Sequence, residues 1–109
     1  MSIPSSRFLD REHWARLAKT IERDKVWRLI LENLSSGRWH NILDLTRKAK
    51  IIDKNIGMVR IGTIIHEIQE IMSGELLEKN PTTDTDEWRI NPRYIEPVQG
   101  LLQQARTEP

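Results

Sequence analysis

Residues 61–79 read Ile-Gly-Thr-Ile-Ile-His-Glu-Ile-Gln-Glu-Ile-Met-Ser-Gly-Glu-Leu-Leu-Glu-Lys, and the parsing of this stretch decides the fold. Ile61, Ile64, Ile65, Ile68, Ile71 and Met72 recur at steps of three and four, the spacing of one buried helical face. Arg60, Thr63, His66, Glu67 and Glu70 are left on the opposite side. Ser73-Gly74 ends the pattern, because glycine readily takes the left-handed turn that closes a helix. Beyond it the period changes. Glu75 to Lys79 reads as a short strand, Asn80-Pro81-Thr82-Thr83-Asp84-Thr85-Asp86 is dense in turn formers, and Glu87-Trp88-Arg89-Ile90 alternates again. Two short strands around a polar turn predict a hairpin.

Upstream, Asn41 with Asp44 three residues on opens a short helix running to about Lys50, with Ile42, Leu45 and Ala49 inward. The connector from Ile51 to Gly57 joins it to the long helix, expected over about 58–73. Further back lie two more stripes. Trp14, Leu17, Ala18 and Ile21 form one, and Val26, Trp27, Ile30, Leu31 and Leu34 form the other, ending at Ser35-Ser36-Gly37. Charged residues 22–25 interrupt their phase, so two helices or one bent rod both fit. Downstream, Asn91-Pro92 opens a last element, cap then proline. Pro97 allows its main helix to start only there, with Val98, Leu101, Leu102 and Ala105 as its stripe. The expected organisation is one domain over 1–109. It comprises a loose lead-in at 1–9, an N-terminal helix at 10–22, a core at 24–91, and a C-terminal helix and tail at 92–109.

A length of 109 residues suits one modest core. The chain has no cysteine, which removes disulfides and thiolate metal sites and fits a reducing, cytoplasmic setting. No apolar run approaches the roughly 18–20 residues of a membrane span. Net charge is +1 but unevenly spread. Residues 38–66 hold six basic groups (Arg38, Arg47, Lys48, Lys50, Lys54 and Arg60) and two acidic ones, a net +4 against −3 elsewhere. A basic middle points to a phosphate-bearing partner, or simply to a solvated charged face.

The order helix, short helix, long amphipathic helix, hairpin and closing helix resembles the winged helix-turn-helix family of prokaryotic DNA-binding regulators. Residues 24–90 carry the resemblance. Gly74 followed by Leu76 and Leu77 matches that family's passage from recognition helix into the first wing strand. The stretch from Trp39 to Ala49 resembles its second helix preceded by a short β-like segment. The isoleucine-rich, cysteine-free composition is similar to small members from archaea and their viruses. The resemblance implies a mainly α fold with a small β-hairpin, and a sequence-specific transcriptional regulator that binds double-stranded DNA. In it the long helix enters the major groove. The contact residues would be Arg47, Lys48, Lys50, Lys54, Asn55, Arg60, Thr63, His66, Lys79 and Arg89. A homodimer is expected, with Trp14, Leu17, Ile21, Val98, Leu101 and Leu102 as its interface, because both terminal stripes need cover. The alternative is that each terminal helix folds back on its own core. The connector is longer than a tight helix-turn-helix turn, and the wing tip is acidic at Asp84, Asp86 and Glu87.

The residue types offer no set for catalysis. His66-Glu67 resembles the start of a zinc-protease helix, but position 70, where the second histidine would fall, is glutamate. Ser35-Ser36 has no histidine partner at a recognisable spacing, and neither Gly57 nor Gly62 opens a phosphate loop. No metal and no cofactor are expected, and the chain reads as a non-enzyme. The competing function is a winged-helix module for protein–protein contact, an adaptor without DNA, favoured by the acidic tip and the near-neutral total charge. One observation separates the two. Lys48, Lys50, Lys54 and Arg60 on one exposed surface favour DNA, and their scatter favours the adaptor.

Overall fold

In the computed structural model, which describes residues 9–82, 84 and 86–107, five helices surround one apolar core and a small three-stranded sheet closes one side. Helix α1 spans Arg11–Arg23 and α2 spans Lys25–Leu34. Asp24 alone separates them. Its backbone is extended, and its carboxylate accepts the Val26 and Trp27 N–H groups that open α2. The charged interruption is therefore a cap between two helices, not a bend in one. At the other end of α1, Asp10 caps the helix in the same way, and Nε2 of His13 lies 2.9 Å from Ser73 Oγ at the far end of the long helix.

After α2, Gly37 turns the chain at φ +86°, and strand β1 (His40–Asn41) leads directly into α3 (Ile42–Ala49). Asn41 caps α3 by accepting the Asp44 N–H at 2.7 Å. The connector is not slack. Ile56 is buried in the core, and Lys50 Nζ donates to the Ile56 carbonyl at 2.6 Å and the Lys54 carbonyl at 3.4 Å. Helix α4 (Met58–Ile71) follows, with Ile61, Ile64, Ile65 and Ile68 buried. It ends through two consecutive left-handed residues, Ser73 (φ 53°) and Gly74 (φ 72°), the Gly74 N–H donating to the Gln69 carbonyl.

Strands β2 (Leu77–Lys79) and β3 (Glu87–Ile90) form the hairpin. Asn80 is buried at the start of its loop, where its side chain donates to Glu87 and accepts from Thr82. The sheet has one more member than a hairpin: β1 pairs antiparallel with β3, His40 opposite Trp88 and Asn41 opposite Glu87, giving the order β1-β3-β2. The hairpin is thereby tied to the turn before α3. A 3₁₀ turn (Pro92–Tyr94) leads into α5 (Ile95–Thr107). This helix starts two residues before Pro97, which sits in its first turn, where no intrahelical N–H bond is lost.

Two expectations need correction. Leu9 is buried and so does not belong to a loose lead-in; the rest of that lead-in, residues 1–8, lies outside the described residues. The second concerns the terminal stripes. Helix α5 packs on both α1 and α2, burying Leu17, Ile21, Val98 and Leu102 within this one chain. Trp14 and Leu101 lean on the same core, Trp14 against Tyr94 with ring centroids 6.0 Å apart. The two stripes cover each other. The need that suggested a second copy at these six residues is met inside the monomer.

Candidate macromolecular interface

The candidate surface is assembled by α3, the connector and the first turns of α4. Their inner sides are fixed by Leu45, Ala49, Ile56, Ile61 and Ile64, all buried, so the outward sides are displayed on a rigid base. What they display is unexpected. The described large apolar side chains that stand exposed are Leu43, Ile51, Ile52, Met58 and Val59, all between positions 43 and 59. Ile51 is 85% exposed and Val59 86%. Scattered exposed apolar residues are normal on a soluble protein, and a contiguous patch of them marks a contact site; these five are close in sequence, and Leu43 and Met58 line one groove. The helical stripe of α4 hides this signal in the sequence, because attention goes to Ile61–Met72. Val59 could have been noticed: it shares the outer face with Thr63 and His66, at steps of four and seven.

A groove of about 410 Å³ runs between this surface and the hairpin loop. Asn41, Ile42, Leu43 and Met58 form its floor and one wall, and Asp84 and Asp86 form the other. The acidic loop is thus turned toward the start of α4.

The residues expected to contact DNA are distributed as follows. Arg47, Lys50, Lys54, Asn55, Arg60, Thr63 and His66 are all exposed. Several of their polar atoms are nevertheless engaged. Lys50 holds the connector carbonyls, Thr63 donates to the Val59 carbonyl, and His66 Nε2 lies 3.8 Å from Glu70. Lys48 donates to Asn33 Oδ1 at 3.0 Å and lies 3.4 Å from Asp44. Arg60 approaches Asp24 at 3.9 Å. Asn33 and Asp24 stand near opposite ends of α2, nine residues apart, which is about 14 Å along a helix. Lys79 pairs with Asp86 at 3.0 Å. Arg89 is used by the sheet: it donates to Glu78 at 3.0 Å and its guanidinium stacks 4.2 Å from the Trp39 ring. Lys48, Lys50 and Arg60 therefore each serve a different local partner, and Lys54 is exposed.

Among the described residues two carboxyls, Asp10 and Asp44, are held below their ordinary values, Asp10 chiefly by the backbone N–H of His13. The Asp44 carboxyl is held below its ordinary value, first by the hydrogen bond from His40 Nδ1 at 3.0 Å and then by Lys48. His40 Nε2 faces Ser36 Oγ at 3.2 Å, so this chain fastens the end of α2 to the start of α3. It lies on the α2 side of α3, apart from the groove. Among the described residues no group of three or more His, Asp or Glu is arranged to hold a metal, and no helix is long and apolar enough to cross a membrane.

The chain matches no family model, no curated protein and no solved structure.

Proposed function

We propose that the chain is a non-enzymatic winged-helix module that works by protein–protein contact through the surface of α3, the connector and the start of α4. The order of elements, with a short strand before α3 joining the hairpin's sheet, supports the winged-helix reading. The single observation that carries the contact reading is the concentration of exposed apolar side chains at Leu43, Ile51, Ile52, Met58 and Val59. Burying such side chains contributes about 25 cal/mol per Å² of apolar surface, a gain available to a protein partner and not to a phosphate backbone. The separate engagement of Lys48, Lys50 and Arg60 adds to it.

A second reading keeps the double-stranded DNA-binding regulator. It is favoured by the outer face of α4, where Arg60, Thr63 and His66 are exposed and could reach base edges, with Lys54 and Asn55 beside them. Against it stand Asp84 and Asp86, which a phosphate would meet beside Met58.

Titration of a labelled random-sequence duplex at several salt concentrations separates the readings. Compared with it is the triple variant Lys48→Ala/Lys50→Ala/Arg60→Ala. No binding at low salt is expected. Binding that weakens steeply with salt, with a shallower dependence in the variant, would establish phosphate contacts and return the chain to the DNA-binding class.

A further inference from the structure

We propose that the groove between α3, the start of α4 and the hairpin loop receives a protein segment that is both apolar and basic, an apolar side chain seated on Leu43 and Met58 with a lysine or arginine held by Asp84 and Asp86. This rests on the protein-contact reading above and adds the chemistry of the partner.

The two walls differ in kind. One is hydrocarbon and thioether from Ile42, Leu43 and Met58; methionine has a flexible, polarisable side chain that adapts to varied apolar shapes. The other carries two carboxylates, with no lysine or arginine among the described lining residues. Asp84 has no ion pair among the described residues. Asp86 has Lys79, but both members of that pair are more than half exposed, at 60% and 54%, where an ion pair contributes little and is readily exchanged. A purely apolar guest would desolvate the carboxylates without compensation, and an acidic one would be repelled. A guest with an apolar anchor and a cationic head satisfies both walls.

Asn41 is fixed as the cap of α3, and its strand pairs with β3, the strand that follows Asp86. The loop carrying Asp84 and Asp86 is clamped at its base by Asn80, whose N–H donates to the Glu87 carbonyl and whose side chain binds Glu87 and Thr82. A site of about 410 Å³ suits anchoring side chains, not a whole helix, which places affinity in one or two residues of the partner.

The test uses two fluorescein-labelled twelve-residue peptides, three repeats of Leu-Lys-Lys-Leu and three of Leu-Glu-Glu-Leu. Each is titrated into the ¹⁵N-labelled full chain by anisotropy and amide shift mapping. The lysine peptide should bind and shift the amides of Ile42, Leu43, Met58, Asp84 and Asp86, with affinity falling at least tenfold in Asp84→Asn/Asp86→Asn. These positions are exposed, so an unchanged melting temperature verifies that the variant is folded. Binding of neither peptide, shifts elsewhere, or indifference to the double variant overturns the inference. If the glutamate peptide shifts the same residues instead, the contact face survives and the charge assignment fails. If a random duplex shifts them, the protein-contact reading itself fails. Sedimentation of the chain alone completes the set: a dimer abolished by Leu43→Glu would assign the groove to a second copy and overturn the basic-segment partner.

Discussion

Replacing Val59 with glutamate should stabilise the fold while destroying the proposed contact surface. With 86% of its surface already in water, Val59 has little burial to lose. Full burial of such a side chain contributes about 1.5–3 kcal/mol, so the covered remainder is worth roughly 0.2–0.4 kcal/mol. Glutamate recovers a few tenths through its better helix propensity. The larger gain is electrostatic. Val59 is the second residue of α4, whose first turn carries no acidic side chain and whose cap, Gly57, offers no side-chain acceptor. A carboxylate beside those free N–H groups contributes about 0.3–1 kcal/mol. The net expectation is about 0.5–1 kcal/mol of added stability, or roughly 2–6 °C in Tm for a domain of this size. Thermal unfolding followed by circular dichroism reads it. Val59→Lys provides the sign control: it loses the same apolar area and places the wrong charge at the helix start, so it should be neutral or slightly destabilising. High salt should shrink the gap between the two. A Tm that drops by several degrees in Val59→Glu would refute the reasoning, because it would mean that Val59 packs against something in the folded chain.

Core and electrostatic predictions follow from the same structure. Ile64→Ala removes a fully buried side chain from the face of α4 that holds the core, and should cost about 2–5 kcal/mol by denaturant unfolding. Tyr94→Phe should be neutral or stabilising by up to about 1 kcal/mol, since the buried Tyr94 hydroxyl has no hydrogen-bond partner among the described residues while its ring packs on Trp14. A clear loss of stability would show that the hydroxyl is bonded. Asp44 has a folded-state pKa below its ordinary 3.8, so the unfolded chain binds its proton more readily. Its contribution is therefore present above about pH 4 and lost as pH falls through the folded value. Tm measured from pH 6 to pH 3 should fall less steeply in Asp44→Asn than in the parent, the two curves converging at the acid end.

The helical body was legible because its signals are local. Asn41 caps the helix it introduces, and the isoleucines from Ile61 to Ile68 set the buried face of α4 at its own period. Asp24, by contrast, is legible only as part of a charged interruption, yet it acts as the cap of α2. The third strand was harder to read. Two residues, His40 and Asn41, carry no periodicity, and only pairing with β3 some forty-seven positions later makes them a strand. The candidate surface was largely hidden for a different reason. Sequence patterning reports which side chains a helix turns inward, while the fate of the residues left over depends on what packs outside. That is why the stripes of α1 and α5 could suggest a second copy although they cover each other. It is also why the six cations of residues 38–66 read as one basic tract. Arg60 and Lys48 reach different ends of α2, and that separation is set by how the helices pack.

The packing of α5 onto α1 and α2 also orders events in time. Leu17, Ile21, Ile30 and Leu31 are made early, yet the side of the core that they share with α5 is completed only when Val98 and Leu102 arrive. Eighty-one residues separate Ile21 from Leu102, about 4–16 s of synthesis at 5–20 residues per second. During that interval the nascent chain carries an uncovered apolar seam, the period when chaperone contact or misassociation would matter most. A chain stopped before α5 would keep that seam open indefinitely, which makes arrested translation products the natural place to look for aggregation of this protein.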